Sequence, residues 1–127
     1  MGNILIVDDE RSIRMTAKAF LEMEGHTVET AEDAVSAMVI FDQRPPDVVL
    51  TDIILPEVSG VYLLQRIRER SADVQVIMMT GEPTLETASE SLRLGAVDYL
   101  QKPVGKDELL KSVRYALEVK KLRDDKV

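Results

Sequence analysis

An aspartate, Asp52, lies inside the apolar stretch VVLTDIILPEVSG (48–60), with Val48, Val49 and Leu50 before it and Ile53, Ile54 and Leu55 after it. A carboxylate among such neighbours is costly unless something compensates it. Other apolar runs end in groups that could meet it. Asp8 and Asp9 follow NILIV (3–7), Thr80 follows VQVIMM (74–79), and Lys102 with Pro103 comes just past AVDYL (96–100). Crowded carboxylates raise one another's pKa unless a cation sits among them. An all-oxygen set of two or three carboxylates suits a hard ion such as Mg²⁺. Cysteine is absent, and the single histidine, His26, falls in the turn after the first helical stretch, so nothing favours zinc.

Taken singly, each residue has a plainer explanation. Asp9 could cap the first helix, with Glu10 favoured in its first turn. Asp52 could end a strand at a turn, Thr80-Gly81 could be loop chemistry, and Lys102 could be a solvated lysine before a strand-ending proline. Unrelated accidents should not all fall on one edge of one sheet, and the placement of these groups therefore depends on the elements that carry them.

Short apolar runs alternate with longer amphipathic ones, the pattern of a parallel sheet covered by helices on both faces. NILIV, VVL (48–50) and VQVIMM read as buried strands, and the more mixed TVETA (27–31) and AVDYL as edge strands. Ile13, Ala17, Phe20, Leu21 and Met23 predict a first helix ending near Glu24, with Gly25 as its C-terminal cap. Ala34, Ala37, Met38 and Phe41 predict a second, stopped by RPPD (44–47); Leu63, Leu64 and Ile67 predict a third after a turn at Gly60. A fourth, roughly 84–94, is expected to bury Leu85, Ala88 and Leu92, and its Ser, Thr and Glu content makes it a weak, mobile helix. The fifth, about 106–121, turns Leu109, Val113 and Ala116 inward, with Leu110, Leu117 and Leu122 partly off that stripe. The expected fold is α/β: a flavodoxin-like, doubly wound five-stranded parallel sheet in the order 2-1-3-4-5. Its active crevice lies at the carboxyl ends of the strands.

Bulk properties narrow the function. The 127 residues make one domain, and a net charge of −7 argues against direct contact with nucleic acid or anionic lipid. The lack of cysteine, of a secretory leader and of a membrane-length apolar run makes a cytoplasmic location the default expectation.

The blocks ILIVDDE, VVLTDIILPEVSG, VIMMTGE and AVDYLQKPV resemble those of the response-regulator receiver domain of two-component signalling, from about residue 3 to the last helix. The resemblance implies a non-enzymatic switch that assists its own phosphorylation and dephosphorylation. Asp52 would accept a phosphoryl group from a sensor histidine kinase or phosphotransfer protein. Asp8, Asp9, Asp52 and the backbone carbonyl of Ile54 would hold Mg²⁺, Thr80 would bind a phosphoryl oxygen, and Lys102 would pair with phosphoryl and carboxylate. Pro56 and Gly60 match the turn after the phosphorylated strand, where Gly60 would supply backbone freedom. A cis bond is expected before Pro103. Tyr99 matches an aromatic switch position, although an edge-strand aromatic covering the last helix is a competing reading.

These roles make physical sense. A carboxylate is a competent nucleophile toward phosphorus, and positive charge stabilises a transferring phosphoryl group. Drawing Thr80 inward would vacate space for Tyr99 and remodel the face of helix four, strand five and helix five. That face would meet an effector domain or protein, with homodimerisation on activation left open. Ile54 and Glu82 flank the route of hydrolytic water, and an apolar Ile54 predicts a long-lived phosphoryl state.

Alternatives are a phosphorylation-independent interaction module and a Mg²⁺-dependent phosphatase of the haloacid-dehalogenase type. The latter needs a second aspartate where this chain has Ile54. A flavodoxin-like FMN binder is disfavoured because DDE in the first loop would repel a phosphate. Residues 1–122 are expected to form the domain. The charged segment 123–127 would be a C-terminal tail or the start of a linker to an effector domain, and Ala116, Val119 and Leu122 at spacing three favour a helix running on.

Overall fold

The computed structural model describes residues 1–125. Strands β1 (Asn3–Val7), β2 (Thr27–Ala31), β3 (Val48–Asp52), β4 (Gln75–Thr80) and β5 (Asp98–Gln101) alternate with helices α1 (Arg11–Met23), α2 (Ala34–Gln43), α3 (Gly60–Arg70), α4 (Leu85–Arg93) and α5 (Lys106–Asp124). The strands form one sheet in the order β2-β1-β3-β4-β5, with every pairing parallel. This is the doubly wound arrangement expected from the sequence. All five strands therefore end on the same edge of the sheet.

Two apolar layers flank the sheet. Ile4, Ile6, Leu50 and Ile77 point to the side covered by α1 and α5, where they meet Leu21, Leu109 and Val113. Leu5, Val7, Val49 and Met78 point to the other side, where Ala37, Phe41, Leu64 and Ile67 of α2 and α3 cover them. Alternation along each strand thus fills two cores, which is why β1, β3 and β4 read as continuous apolar runs. Gly25 ends α1 with φ of 94°, as its position predicted.

Several boundaries and faces differ from the sequence reading. β3 runs two residues beyond VVL, through Asp52 itself. β5 begins at Asp98 rather than Ala96, because the Ala96 N–H is taken by the Ser91 carbonyl at the end of α4. Met23 is exposed: it lies two residues past the buried Leu21, about 200° around the helix. α4 inverts its expected stripe. Leu85 and Leu92 are 84% and 70% exposed, while Ser91 is buried and Ala88 and Thr87 flank it. Small side chains let this helix lie close to its neighbours, and the Ser91 hydroxyl satisfies itself on the Thr87 carbonyl at 2.7 Å. Leu110, predicted to lie partly off the inward stripe of α5, is buried in the core, and Leu122 is exposed. α5 continues through Asp124, past residue 122 where the sequence reading ended the domain; residues 126–127 of that segment lie outside the described residues. Among the described residues, no helix is long and apolar enough to cross a membrane.

Candidate functional site

The carboxyl edge of the sheet gathers an acidic cluster around one ammonium. Asp8 follows β1 directly and is fully buried, and Asp52, the last residue of β3, is 6% exposed. Asp9 is exposed beside them, and the three carboxylates place oxygens within 4.8 Å of one another. Lys102, just past β5, brings Nζ to 2.6 Å from Asp52 Oδ2 and 2.7 Å from Asp8 Oδ2. Burial alone would lower the pKa of this lysine, but its contacts with the two carboxylates outweigh burial and hold it above the ordinary lysine value. The ammonium is what compensates the Asp52 carboxylate among its apolar neighbours.

Backbone groups orient these side chains. Asp52 Oδ1 accepts the Ile54 N–H at 3.0 Å. Asp8 Oδ1 accepts the Glu10 N–H at 2.9 Å, and the Arg14 guanidinium donates to the Asp8 carbonyl at 2.8 Å. Arg14 escaped the sequence reading, since nothing in its spacing marks a contact with a backbone oxygen. Asp9 does not cap α1: the cap position is Glu10, and its side chain makes no capping bond. The plainer explanation of Asp9 therefore falls away.

Asp8 Oδ2 is buried, and the Lys102 ammonium at 2.7 Å is its one polar partner among the described residues. A carboxylate oxygen left so, within a set of hard oxygen donors, fits coordination of a divalent cation. The acidic cluster is thus a candidate metal site.

Thr80 ends β4 one residue beyond Met79, the register partner of Asp52. Its carbonyl accepts the Lys102 N–H at 2.8 Å, and its hydroxyl accepts the Glu82 N–H at 3.0 Å. Backbone pairing brings Thr80 to the site, while its side chain holds the loop that follows. Tyr99, half-buried on β5, directs its hydroxyl to the Thr87 hydroxyl of α4 at 2.8 Å. Thr87 was not among the residues singled out from the sequence. The Lys102–Pro103 bond is cis, as anticipated.

The turn after β3 departs from expectation in one respect. Its left-handed residue is Glu57, with φ of 69°, whereas Gly60 has no positive φ. Gly60 is required for space: a Cβ there would stand 2.1 Å from the Asp52 carbonyl oxygen and 2.9 Å from Ile53 Cα. The Gly60 N–H also closes the turn onto the Ile53 carbonyl at 2.7 Å. Pro56 and Ile54 lie exposed on the rim of the crevice, and His26 sits far from it, buried, its Nδ1 accepting the Gly2 N–H at 3.1 Å.

Residues 4–114 match the response regulator receiver domain family. The C4-dicarboxylate transport transcriptional regulatory protein DctD of Pseudomonas aeruginosa is 38% identical over 119 residues, which are 94% of this chain and 26% of DctD. Regulatory protein AtoC of Escherichia coli is 37% identical over 125 residues, 98% of this chain and 27% of AtoC. The chain therefore spans about a quarter of the length of these two relatives. Among solved structures, a CheY-like response regulator receiver domain protein from Methanospirillum hungatei superposes with a TM-score of 0.93 at 33% identity, covering 97% of this chain and 98% of that one. NtrX from Brucella abortus, solved in complex with ADP, gives a TM-score of 0.91 at 37% identity over 98% of this chain and 29% of NtrX.

Proposed function

The chain belongs to the response regulator receiver domain family, and from that premise we propose that it is a phosphorylation-activated signalling switch with Asp52 as phosphoacceptor. The observation that carries the reading is the placement of Lys102 Nζ between Asp52 and Asp8, in a cluster completed by Asp9. An Asp52 oxygen attacks the phosphorus of a phosphohistidine on a sensor kinase or phosphotransfer protein. The P–N bond breaks as the P–O bond forms, and the histidine nitrogen leaves with the electron pair.

Asp52 presents its nucleophilic carboxylate at a fixed angle, because the Ile54 N–H holds one oxygen while Lys102 holds the other. Lys102 then neutralises charge that develops on the phosphoryl oxygens. The Asp8, Asp9 and Asp52 carboxylates, with the Ile54 carbonyl, would hold Mg²⁺, which supplies further positive charge to the transferring group. Thr80 releases the Glu82 N–H and turns its hydroxyl to a phosphoryl oxygen. Tyr99 moves in response, and the α4-β5-α5 face changes its shape for an effector domain or protein, with homodimerisation on activation as a further outcome. The much greater length of DctD and AtoC supports an effector attached to domains of this type. Net charge of −7 supports a domain that makes no direct contact with nucleic acid, and the reading as a two-component switch implies a cytoplasmic location.

The test is intact mass after incubation with Mg²⁺ and acetyl phosphate. One phosphoryl group is expected on the wild type, and none on Asp52→Asn or without Mg²⁺. A folded protein that gains nothing, and does not respond to beryllofluoride, would instead be a phosphorylation-independent interaction module.

A further inference from the structure

The loop from Gly81 to Thr84 is fastened at both ends by threonine hydroxyls. At its start, Thr80 Oγ1 accepts the Glu82 N–H at 3.0 Å. At its end, Thr84 is the N-cap of α4 and accepts the Thr87 N–H at 3.1 Å through its side chain. The Thr87 hydroxyl lies 2.9 Å from Thr84 Oγ1 and 2.8 Å from Tyr99 Oη. Each hydroxyl has one proton and two lone pairs. The arrangement is consistent if Tyr99 donates to Thr87 and Thr87 donates to Thr84 Oγ1, with the Thr84 carbonyl as a second acceptor at 3.3 Å, while Thr84 Oγ1 also accepts the Thr87 amide and, being exposed, leaves its own proton to solvent. Hydroxyls linked in this way reinforce one another.

We propose that Thr87 is a positioning residue that sets the resting equilibrium of the switch, by tethering Tyr99 to the first turn of α4. The inference rests on the signalling reading above. Tyr99 cannot leave α4 without breaking its bond to Thr87, and Thr80 cannot turn to a phosphoryl group without releasing Glu82. The Thr80–Glu82 bond holds the start of the short loop, and the Tyr99–Thr87 bond reaches its end through Thr84, to which Thr87 is itself bonded; residues 81–84 are all exposed. Release at one end therefore loosens the other, which couples the two motions. A population shift of this kind is governed by the bonds that only the resting state makes, and the Tyr99–Thr87 bond is one of them.

Thr87→Val keeps the β-branched shape, and its amide still bonds to Thr84, but the tether is lost. Thr87→Ser keeps the hydroxyl. The three tyrosines, Tyr62, Tyr99 and Tyr115, are replaced by fluorotyrosine, and fluorine NMR follows a titration with beryllofluoride and Mg²⁺. Asp52→Asn serves as the non-binding control. The expected result is that Thr87→Val binds beryllofluoride about fivefold more tightly, the population effect of one net hydrogen bond, with its unliganded Tyr99 resonance displaced toward the liganded position. Thr87→Ser should overlay the wild type. Tyr99→Phe, which removes the same bond from the other side, should show the same tightening, and adding Thr87→Val to it should bring no more.

Wild-type affinity in Thr87→Val would overturn the role of Thr87 and leave the switch intact. Equal displacement by Thr87→Ser would overturn it too, by showing that shape rather than the hydroxyl matters. A wild-type Tyr99 resonance that ignores beryllofluoride bound at Asp52 would remove the switch reading and Thr87 with it.

Discussion

Lys102 and Asp52, fifty positions apart in sequence, meet with Nζ 2.6 Å from Oδ2 at the carboxyl edge of the sheet. The same ammonium lies 2.7 Å from Asp8, so two carboxylates share one cation, and Asp9 places a third carboxylate oxygen within 4.8 Å of theirs. Without a metal the site carries an excess of negative charge. Removing the cation and removing one of the anions should therefore have opposite effects on stability.

Lys102→Met should destabilise the metal-free protein by about 3 kcal/mol, at the low end for stripping a buried pair of one partner. Asp52→Asn should be equal to the wild type or more stable, because Lys102 retains Asp8. Mg²⁺ should stabilise Lys102→Met strongly, and chelation should reverse this. Urea denaturation of the three proteins with Mg²⁺ and with chelator measures all of these effects. A loss in Asp52→Asn as large as that in Lys102→Met would show that the cluster is not over-charged.

The raised pKa of Lys102 gives an alkaline signature. Its folded value exceeds the ordinary 10.5, since the Asp52 and Asp8 contacts overcome the opposing effect of burial. The stabilisation is then fully present below 10.5 and is lost as pH rises through the folded value. Wild-type denaturation midpoints should fall steeply at such pH, and those of Lys102→Met should fall less. Parallel curves for the two proteins would count against the ion pair.

Gly60→Ala should cost about 2–3 kcal/mol, toward the top of the range for overpacking. The added Cβ meets the Asp52 carbonyl oxygen and Ile53 Cα, both backbone atoms that cannot rotate away. Displacing Asp52 should also slow phosphoryl uptake from acetyl phosphate. Retention of wild-type stability and uptake would mean that the β3–α3 turn yields more easily than its contacts indicate.

Legibility in the sequence followed the reach of each physical cause. Asp8, Asp52, Thr80 and Lys102 could be placed together because apolar runs mark the strands and parallel topology puts every strand end on one edge. The outward rotation of Leu85 and Leu92 on α4 could not be read. The helix buries Ser91 and flanks it with Ala88 and Thr87, so the hydrophobic stripe points the wrong way. Gly60 was recognised as necessary for a reason that turned out to be steric, since the approach of the Asp52 carbonyl exists only after folding. Thr87 was invisible because its partner, Tyr99, reaches it from a neighbouring strand.

His26 supplies a pH dependence remote from the site. Burial first, then the nearby N-terminal ammonium, lower its pKa from 6.5 against the opposing pull of Glu24. Its Nδ1 accepts the Gly2 N–H, so a proton on that nitrogen would break the contact. Below 6.5 the unfolded chain binds this proton more readily than the folded one, and stability should fall until the folded value is passed. His26→Gln should flatten the change in urea midpoint between about pH 7.5 and 5.5. An unchanged slope would place the titration elsewhere.

On the proposed reading of Asp52 as phosphoacceptor, the lifetime of the phosphorylated state would turn on Ile54. Hydrolysis needs a water aligned on the far side of phosphorus from Asp52, and an adjacent polar side chain can hold and orient it. Ile54 lies two residues past Asp52, is 52% exposed at the mouth of the site, and offers no hydrogen-bonding side-chain atom. Glu82, exposed and two residues past Thr80, carries a charge that would be repelled by a phosphoryl group. Spontaneous loss of phosphate from the isolated domain should therefore be slow, with a half-life well beyond seconds. Ile54→Asn should shorten it about tenfold, less than a full general base would give. The decay is followed by intact mass after removal of acetyl phosphate. A wild-type half-life of seconds, or no change in Ile54→Asn, would show that the attacking water is positioned by some other group.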